Sequence, residues 1–300
     1  MTLALHSTQH DPVQQARMAP LPRLMIGPVI RAALAEDLGL AGDLTSMTVV
    51  PADHRSIVTA QTRQHGVIAG LDAAELAFAL VDPACVFTPH VRDGDRVAPG
   101  DRIATIEGPS RSLLTAERTA LNILCHLSGI ASVTARIADA ISGTRARVAC
   151  TRKTTPGLRA LEKYAVRAGG GVNHRFSLAD AVLIKDNHVA ITGSIREAIT
   201  RARAGVGHMV KIEVEVDNLD QLREAMATGV DVVLLDNMSP ETLHEAVTIV
   251  AGRAVTEASG NITPETAARI AASGVDLISV GWITHSAPVL DIGLDFVSVA

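Results

Sequence analysis

Two cations stand side by side in Thr151-Arg152-Lys153-Thr154-Thr155-Pro156-Gly157, directly after an apolar run at 148–150. An arginine fork grips a carboxylate or phosphate with parallel hydrogen bonds, and a lysine adds a point charge. A solvated basic loop is the plain alternative, but three hydroxyls and a preceding strand favour a site. Lys185 follows a second apolar run and opens Lys185-Asp186-Asn187-His188. A lysine pointing inward there needs a negative ligand or an internal carboxylate such as Glu215. Lys211, Glu213 and Glu215 alternate with Ile212, Val214 and Val216, so the charges share one strand face. Neighbouring carboxylates repel unless cations or a metal compensate. Asp236 ends the next apolar run. With Glu215 it suits sugar hydroxyls or, directly or through water, Mg²⁺; charge balance against Lys153, Lys185 and Lys211 is the competing reading. Ser259-Gly260-Asn261 and Gly281 follow the last two runs. Small residues let backbone amides approach a phosphate, and the helix start at Thr263-Pro264 favours its charge; ordinary tight turns use the same residues. Gly169-Gly170-Gly171-Val172-Asn173-His174-Arg175 reads as a flexible loop that either delivers His174 and Arg175 to an anion or is simply mobile. Its spacing is not a dinucleotide fingerprint.

The intervening elements must hold these groups. Six short apolar runs between 148 and 283 each end in a polar or small residue, and helix-like stretches usually follow. Such alternation implies parallel strands with helices outside. In a β/α barrel the chemistry sits where strands finish. Cations come from the early strands, carboxylates from the middle ones and small residues from the last, a sorting that suits an anionic, phosphorylated substrate. A seventh strand is expected only in a shorter or irregular segment, so an incomplete barrel is as acceptable as a closed one. Ser239-Pro240, Thr263-Pro264 and Asn218 mark helix starts.

Upstream, 26–38 reads as a helix, 56–61 and 67–69 as strands, and 72–80 as a helix. The turn signals Asp93-Gly94 and Pro99-Gly100 within 91–107 predict an antiparallel hairpin. That string resembles biotinyl and lipoyl carrier modules, but those present a lysine on a hairpin, and none precedes Lys153. An open sheet packed with helices is the expectation. A long helix over 112–141, interrupted near Ser128-Gly129, links the two halves.

A net charge of −5 and 2% aromatics argue against a nucleic-acid partner. Cys85, Cys125 and Cys150 lack metal-ligand spacing and read as reduced thiols of a cytoplasmic protein. No apolar stretch approaches the roughly 20 residues of a membrane span. The N-terminus lacks the basic start and apolar core of a signal peptide. The predicted class is α/β, with 1–22 a loosely attached extension.

Taken together, these strings closely resemble the quinolinate phosphoribosyltransferase family. The markers are Glu36-Asp37-Leu38-Gly39, Gly42-Asp43-Leu44-Thr45-Ser46, Glu117-Arg118-Thr119-Ala120-Leu121-Asn122, the 151–157 and 168–175 strings, Lys185 to His188, Glu213 to Glu215, Leu235-Asp236-Asn237 and Ser279-Val280-Gly281. The resemblance implies an N-terminal α/β sandwich with a linking helix over 23–141 and an incomplete β/α barrel over 142–286. A segment at 287–300 would pack back on the N-terminal domain. It further implies phosphoribosyl transfer from 5-phosphoribosyl 1-pyrophosphate to quinolinate with decarboxylation, Mg²⁺, and a homodimer in which one chain's N-terminal domain closes the other's barrel. Arg118 would enter the partner's site; on this chain alone it reads as a surface charge. Arg118, Thr151, Arg152, Lys153, His174, Arg175 and Lys185 would meet quinolinate or pyrophosphate. Glu215 and Asp236 would meet ribose and metal, and Ser259, Gly260, Asn261 and Gly281 the 5′-phosphate. Asn261 and Trp282 depart from the family's commoner Gly and Ala, which touches the phosphate contacts. Three rivals are a molybdenum-transport-associated homologue of the same fold, a barrel lyase using Lys153 or Lys185 as a Schiff base, and a non-catalytic small-molecule binder.

Overall fold

The computed structural model describes residues 18–297, so most of the expected extension lies outside the described residues. Helix α1 (Arg23–Leu38) buries Ile26, Ile30 and Leu34, one residue per turn. Asp43 then caps α2 (Leu44–Val49) by accepting the Ser46 amide. Next come β1 (Arg55–Thr62), β2 (Gly66–Val67), α3 (Leu71–Val81), β3 (Val86–Pro89), β4 (Arg96–Val97) and β5 (Arg102–Pro109). Both predicted turns exist, with Gly94 and Gly100 at φ 96° and 90°. The predicted hairpin does not. Strand β5 lies between β1 and β3, while β4 pairs with β2 in a separate ribbon. Both edges of β5 are taken, by β1 over seven residues and by β3 over four, so none is left for β4.

Helix α4 (Ser110–Ala140) runs unbroken through Ser128-Gly129, contrary to expectation. Those small residues are a docking seat rather than a break. Ser128 Oγ accepts the Ala69 amide at 3.1 Å and Ser132 Oγ the Val67 amide at 2.8 Å. A Cβ on Gly129 would lie 2.2 Å from the Pro288 carbonyl oxygen. By length and composition α4 could cross a membrane, which corrects the sequence reading. Here 67% of its most apolar window is buried in the fold, so the helix serves as the shared core of both halves.

The second half alternates as β6 (Arg147–Ala149), α5 (Arg159–Ala168), β7 (Val182–Ile184), α6 (Asp186–Thr192), α7 (Ile195–Gly205), β8 (Ile212–Val216), α8 (Leu219–Thr228), β9 (Val232–Asp236), α9 (Pro240–Val250), β10 (Val255–Ser259), α10 (Pro264–Ala271), β11 (Leu277–Ser279) and α11 (Trp282–His285). Side-chain oxygens of Asn218, Ser239 and Thr263 cap α8, α9 and α10, as their sequences require. All six strands are parallel, in the order β6-β11-β10-β9-β8-β7. A single bridge between Ala149 and Val172 supplies a seventh position. Among the described residues no ladder joins Val172 to β7, so the barrel is incomplete. Gly169 and Gly171 of the run before Val172 are packed rather than mobile: a Cβ on Gly169 would sit 2.3 Å from the Ala131 carbonyl oxygen on α4, and one on Gly171 2.8 Å from Thr134 Cγ2.

Strand parity sorts the side chains. Val214, Val233, Leu235, Ala258 and Ile278 join the core beneath the helices. Glu213, Glu215, Glu257 and Ser259 alternate with them and face the barrel interior. The last strand, β12 (Ile292–Val297), leaves the barrel and pairs antiparallel with β1, giving the N-terminal sheet the order β12-β1-β5-β3.

Candidate active site

Because the strands are parallel, their polar ends gather on one rim. At β6, the Lys153 amide donates to Thr151 Oγ1 at 3.0 Å and the Thr284 hydroxyl donates to the Lys153 carbonyl at 2.7 Å. The Lys153 side chain lies over Gly281, where an added Cβ would meet its Cδ at 2.8 Å and Thr151 Oγ1 at 3.4 Å. The first and last strand ends are therefore one locus. Arg175 bridges the barrel's gap by donating from Nη1 to the Ala181 carbonyl at 2.9 Å. Burial and the neighbouring Arg152 charge lower its pKa. Arg152 and Arg175 each keep a buried Nε without a partner. Two crowded guanidinium groups with unspent donors call for a shared anion.

His174 behaves differently from expectation. Its Nε2 lies 2.8 Å from Glu213 Oε2 and 3.8 Å from Glu257 Oε1, while Nδ1 accepts the Arg175 amide at 2.8 Å. Both ring nitrogens are thus spent inside the chain, and His174 anchors Arg175 instead of offering a free donor. Burial opposes charging the imidazole. The Glu213 hydrogen bond and the charges of Glu257 and Glu213 outweigh it and raise the pKa. Burial, then repulsion from Glu213, pushes Glu257 up to about 7. The ligand atoms of the three lie within 4.8 Å of one another, a spacing a metal could use. With Nδ1 accepting, however, the neutral ring carries its proton on Nε2, which leaves that nitrogen no lone pair for a metal. The cluster is a buried site for a proton: His174 and Glu213 share a hydrogen bond, while Glu213 Oε1 and Glu257 Oε1 have no hydrogen-bond partner among the described residues.

Lys185 Nζ makes a short ion pair with Glu215, so the internal partner weighed from sequence is real. The Lys185 amide donates to His188 Nδ1 at 2.9 Å, which fixes the start of α6 and accounts for the Lys185-to-His188 string. Asp236 pairs in register with Ser259 and accepts from Asn237 Nδ2 at 2.7 Å. Gly260 sits at φ +107°, where a Cβ would meet Asn237 Oδ1 at 2.1 Å. Asn261 is also left-handed, at φ 47°. Trp282 donates from Nε1 to the Ile262 carbonyl at 2.9 Å, tying the 259–262 loop to the start of α11.

Two charges named from sequence stand elsewhere. Lys211 pairs with Asp231 at 2.7 Å, before β8 begins, at the strand end away from the rim. Arg118 is exposed on α4 and, among the described residues, makes no hydrogen bond or ion pair. Three buried charges were missed. Glu257 could have been found by parity, since it precedes Ser259 by two residues as Glu213 precedes Glu215. Glu162 and Lys163 are 0% and 1% exposed on α5, and their signal is a charged pair between Leu161 and Tyr164-Ala165-Val166.

An incomplete parallel β/α barrel with unspent guanidinium donors, paired carboxylates and glycine-bearing loops on one rim defines an enzyme-type site for a phosphorylated, acidic substrate. Residues 43–128 match the N-terminal domain of quinolinate phosphoribosyl transferase, and residues 130–295 match its C-terminal domain. The chain belongs to the quinolinate phosphoribosyltransferase family. It is 47% identical over 273 residues to the nicotinate-nucleotide pyrophosphorylase (carboxylating) of Mycobacterium leprae, covering 89% of this chain and 95% of that one. It is 44% identical over 260 residues to the probable enzyme of the same name in Bacillus subtilis, covering 87% and 89%. The solved nicotinate-nucleotide pyrophosphorylase of Francisella tularensis superposes with a TM-score of 0.89 at 39% identity, covering 93% of this chain and 99% of that one.

Proposed function

We propose that the chain transfers the phosphoribosyl group of 5-phosphoribosyl 1-pyrophosphate to the ring nitrogen of quinolinate, releasing pyrophosphate and CO₂ and forming nicotinate mononucleotide for NAD biosynthesis. The family membership supports the reaction, and the crowded Arg152–Arg175 pair with its unspent donors supports a dianionic substrate. Quinolinate's adjacent carboxylates take these donors together with Lys185. Thr151 and Lys153, packed on Gly281, stand where the ring carboxylate or the departing pyrophosphate would lie. Ser259, Gly260, Asn261 and Gly281 receive the 5′-phosphate.

Glu215 and Asp236 address the ribose hydroxyls. Each also presents a rim carboxylate oxygen, and such hard donors fit Mg²⁺, directly or through water. Bound there, Mg²⁺ would offset charge on the pyrophosphate. Displacement at the ribose carbon builds oxocarbenium character, so positioning and charge stabilisation do more than a protein nucleophile would. Alkylation then leaves the ring nitrogen cationic. The neighbouring carboxylate departs as CO₂, its electron pair stays on the ring carbon beside that nitrogen, and a proton completes the product.

Exposed Arg118 reaches a partner's rim in a homodimer with shared sites. The three unpaired thiols suit a reducing, cytoplasmic setting. A product assay with quinolinate, the pyrophosphorylated sugar and Mg²⁺, run beside nicotinate, tests the reading. Nicotinate mononucleotide and CO₂ should form from quinolinate only. Turnover of nicotinate alone, or a borohydride-trapped adduct on Lys153 or Lys185, would overturn it.

A further inference from the structure

Three consecutive side chains of α5 point to three different places. Glu162 accepts the Thr155 amide on Oε2 and contacts His126 Nε2 through Oε1, both at 3.0 Å. Lys163 donates to the His174 carbonyl at 2.9 Å and to Cys150 Sγ at 3.0 Å. The Cys150 thiol in turn donates to Asn173 Oδ1 at 3.3 Å. Tyr164 donates to Asp93 Oδ2 in the N-terminal half at 2.7 Å.

With 0% and 1% exposure, neither Glu162 nor Lys163 can touch a substrate. As an investment in stability the two charges are poor, because burying an ammonium against a sulfur and one carbonyl is costly and apolar residues would fill α5 as well. Their partners explain them. One grips a backbone atom of the loop that carries Arg152 and Lys153. The other grips a backbone atom of the segment that carries His174 and Arg175, and through Cys150 it also reaches the Asn173 side chain of that segment. Successive helix positions diverge by about 100°, so a single turn of α5 reaches both segments at once.

We propose that Glu162 and Lys163 are positioning residues that set the two cation-bearing segments at the spacing of the substrate's adjacent acid groups. The proposal rests on the reading that those cations hold quinolinate. A misplacement of about 1 Å at such a site costs on the order of a hundredfold, so the effect should be large and should fall on one substrate.

The test uses the full-length chain with both substrates and Mg²⁺. Lys163→Met should raise KM for quinolinate at least tenfold while KM for the sugar pyrophosphate stays within about twofold. Calorimetric affinity for phthalate, the same ortho-dicarboxylate without the ring nitrogen, should fall in parallel. Glu162→Gln retains an acceptor for the Thr155 amide and should rescue most of what Glu162→Leu loses. Should Lys163→Met fail to fold, Cys150→Ala carries the test by cutting the link to Asn173, with a rise of roughly threefold or more in KM for quinolinate. An unchanged KM for quinolinate in a folded variant, or equal shifts for both substrates, sinks the positioning role alone. Absence of quinolinate turnover and phthalate binding in the wild type sinks the functional reading and this proposal with it.

Discussion

Arg175 spends one donor on a backbone carbonyl and leaves Nε buried and free, so substrate binding completes a hydrogen-bond set that the folded chain leaves open. Arg175→Ala should raise KM for quinolinate about 10- to 100-fold, the worth of one or two charge-assisted hydrogen bonds, with a near-native melting temperature; steady-state kinetics and a thermal melt check this. Beneath it, Glu257 and His174 make a second prediction. Both have raised pKa values in the fold. The folded chain therefore binds protons that the unfolded chain has already released. For Glu257 that window runs from its ordinary 4.5 to about 7. Stability falls as pH rises through it, and His174 extends the fall above 6.5. Glu257→Gln should flatten this slope and gain stability relative to the wild type above neutrality. Denaturant unfolding between pH 5 and 8 measures it, and an unchanged slope rules it out.

At the scale of elements, the barrel half was largely legible because each strand carries both its period and its terminus. Apolar parity, a polar last residue and a Ser-Pro or Thr-Pro cap are local signals, and local chemistry decides them. In the N-terminal half the elements were legible, since α1, β1, β2 and α3 fall where the sequence put them, but the pairings were not, because most are long-range. The 91–107 string holds two good turns, yet the partners of β4 and β5 lie some thirty to fifty residues upstream. Local signals also misread Ser128-Gly129 and Gly169-Gly170-Gly171. A glycine that admits another backbone looks in sequence like one that breaks a helix. Gly129→Val separates these meanings. The new side chain must displace the Pro288 backbone at a cost of about 1–3 kcal/mol, which exceeds the gain in helix propensity. The melting temperature should drop by several degrees, whereas a mere helix interruption would be healed and the temperature would rise. His174 shows a related limit: sequence locates a donor but not what has already claimed it.

Across the whole molecule, Arg118 is the test of assembly. It is the candidate site cation that the barrel half of the chain does not carry. Arg118→Ala and Lys185→Ala should each be inactive and fold normally. After verified subunit exchange, a mixture should recover about one quarter of wild-type sites, since half the dimers are mixed and each mixed dimer holds one intact site. Sedimentation tests for the proposed dimer, and no recovery despite exchange would exclude the shared site.

The return of β12 to β1 joins residues 230 positions apart, with Thr62 registered on Ile292. A ribosome must add some 230 residues after Thr62 before that neighbour exists. Until then β1 presents a bare edge, the kind that recruits stray strands. Synthesis therefore exposes the N-terminal sheet to mispairing while the whole barrel half is made, and the arrival of β12 ends that exposure.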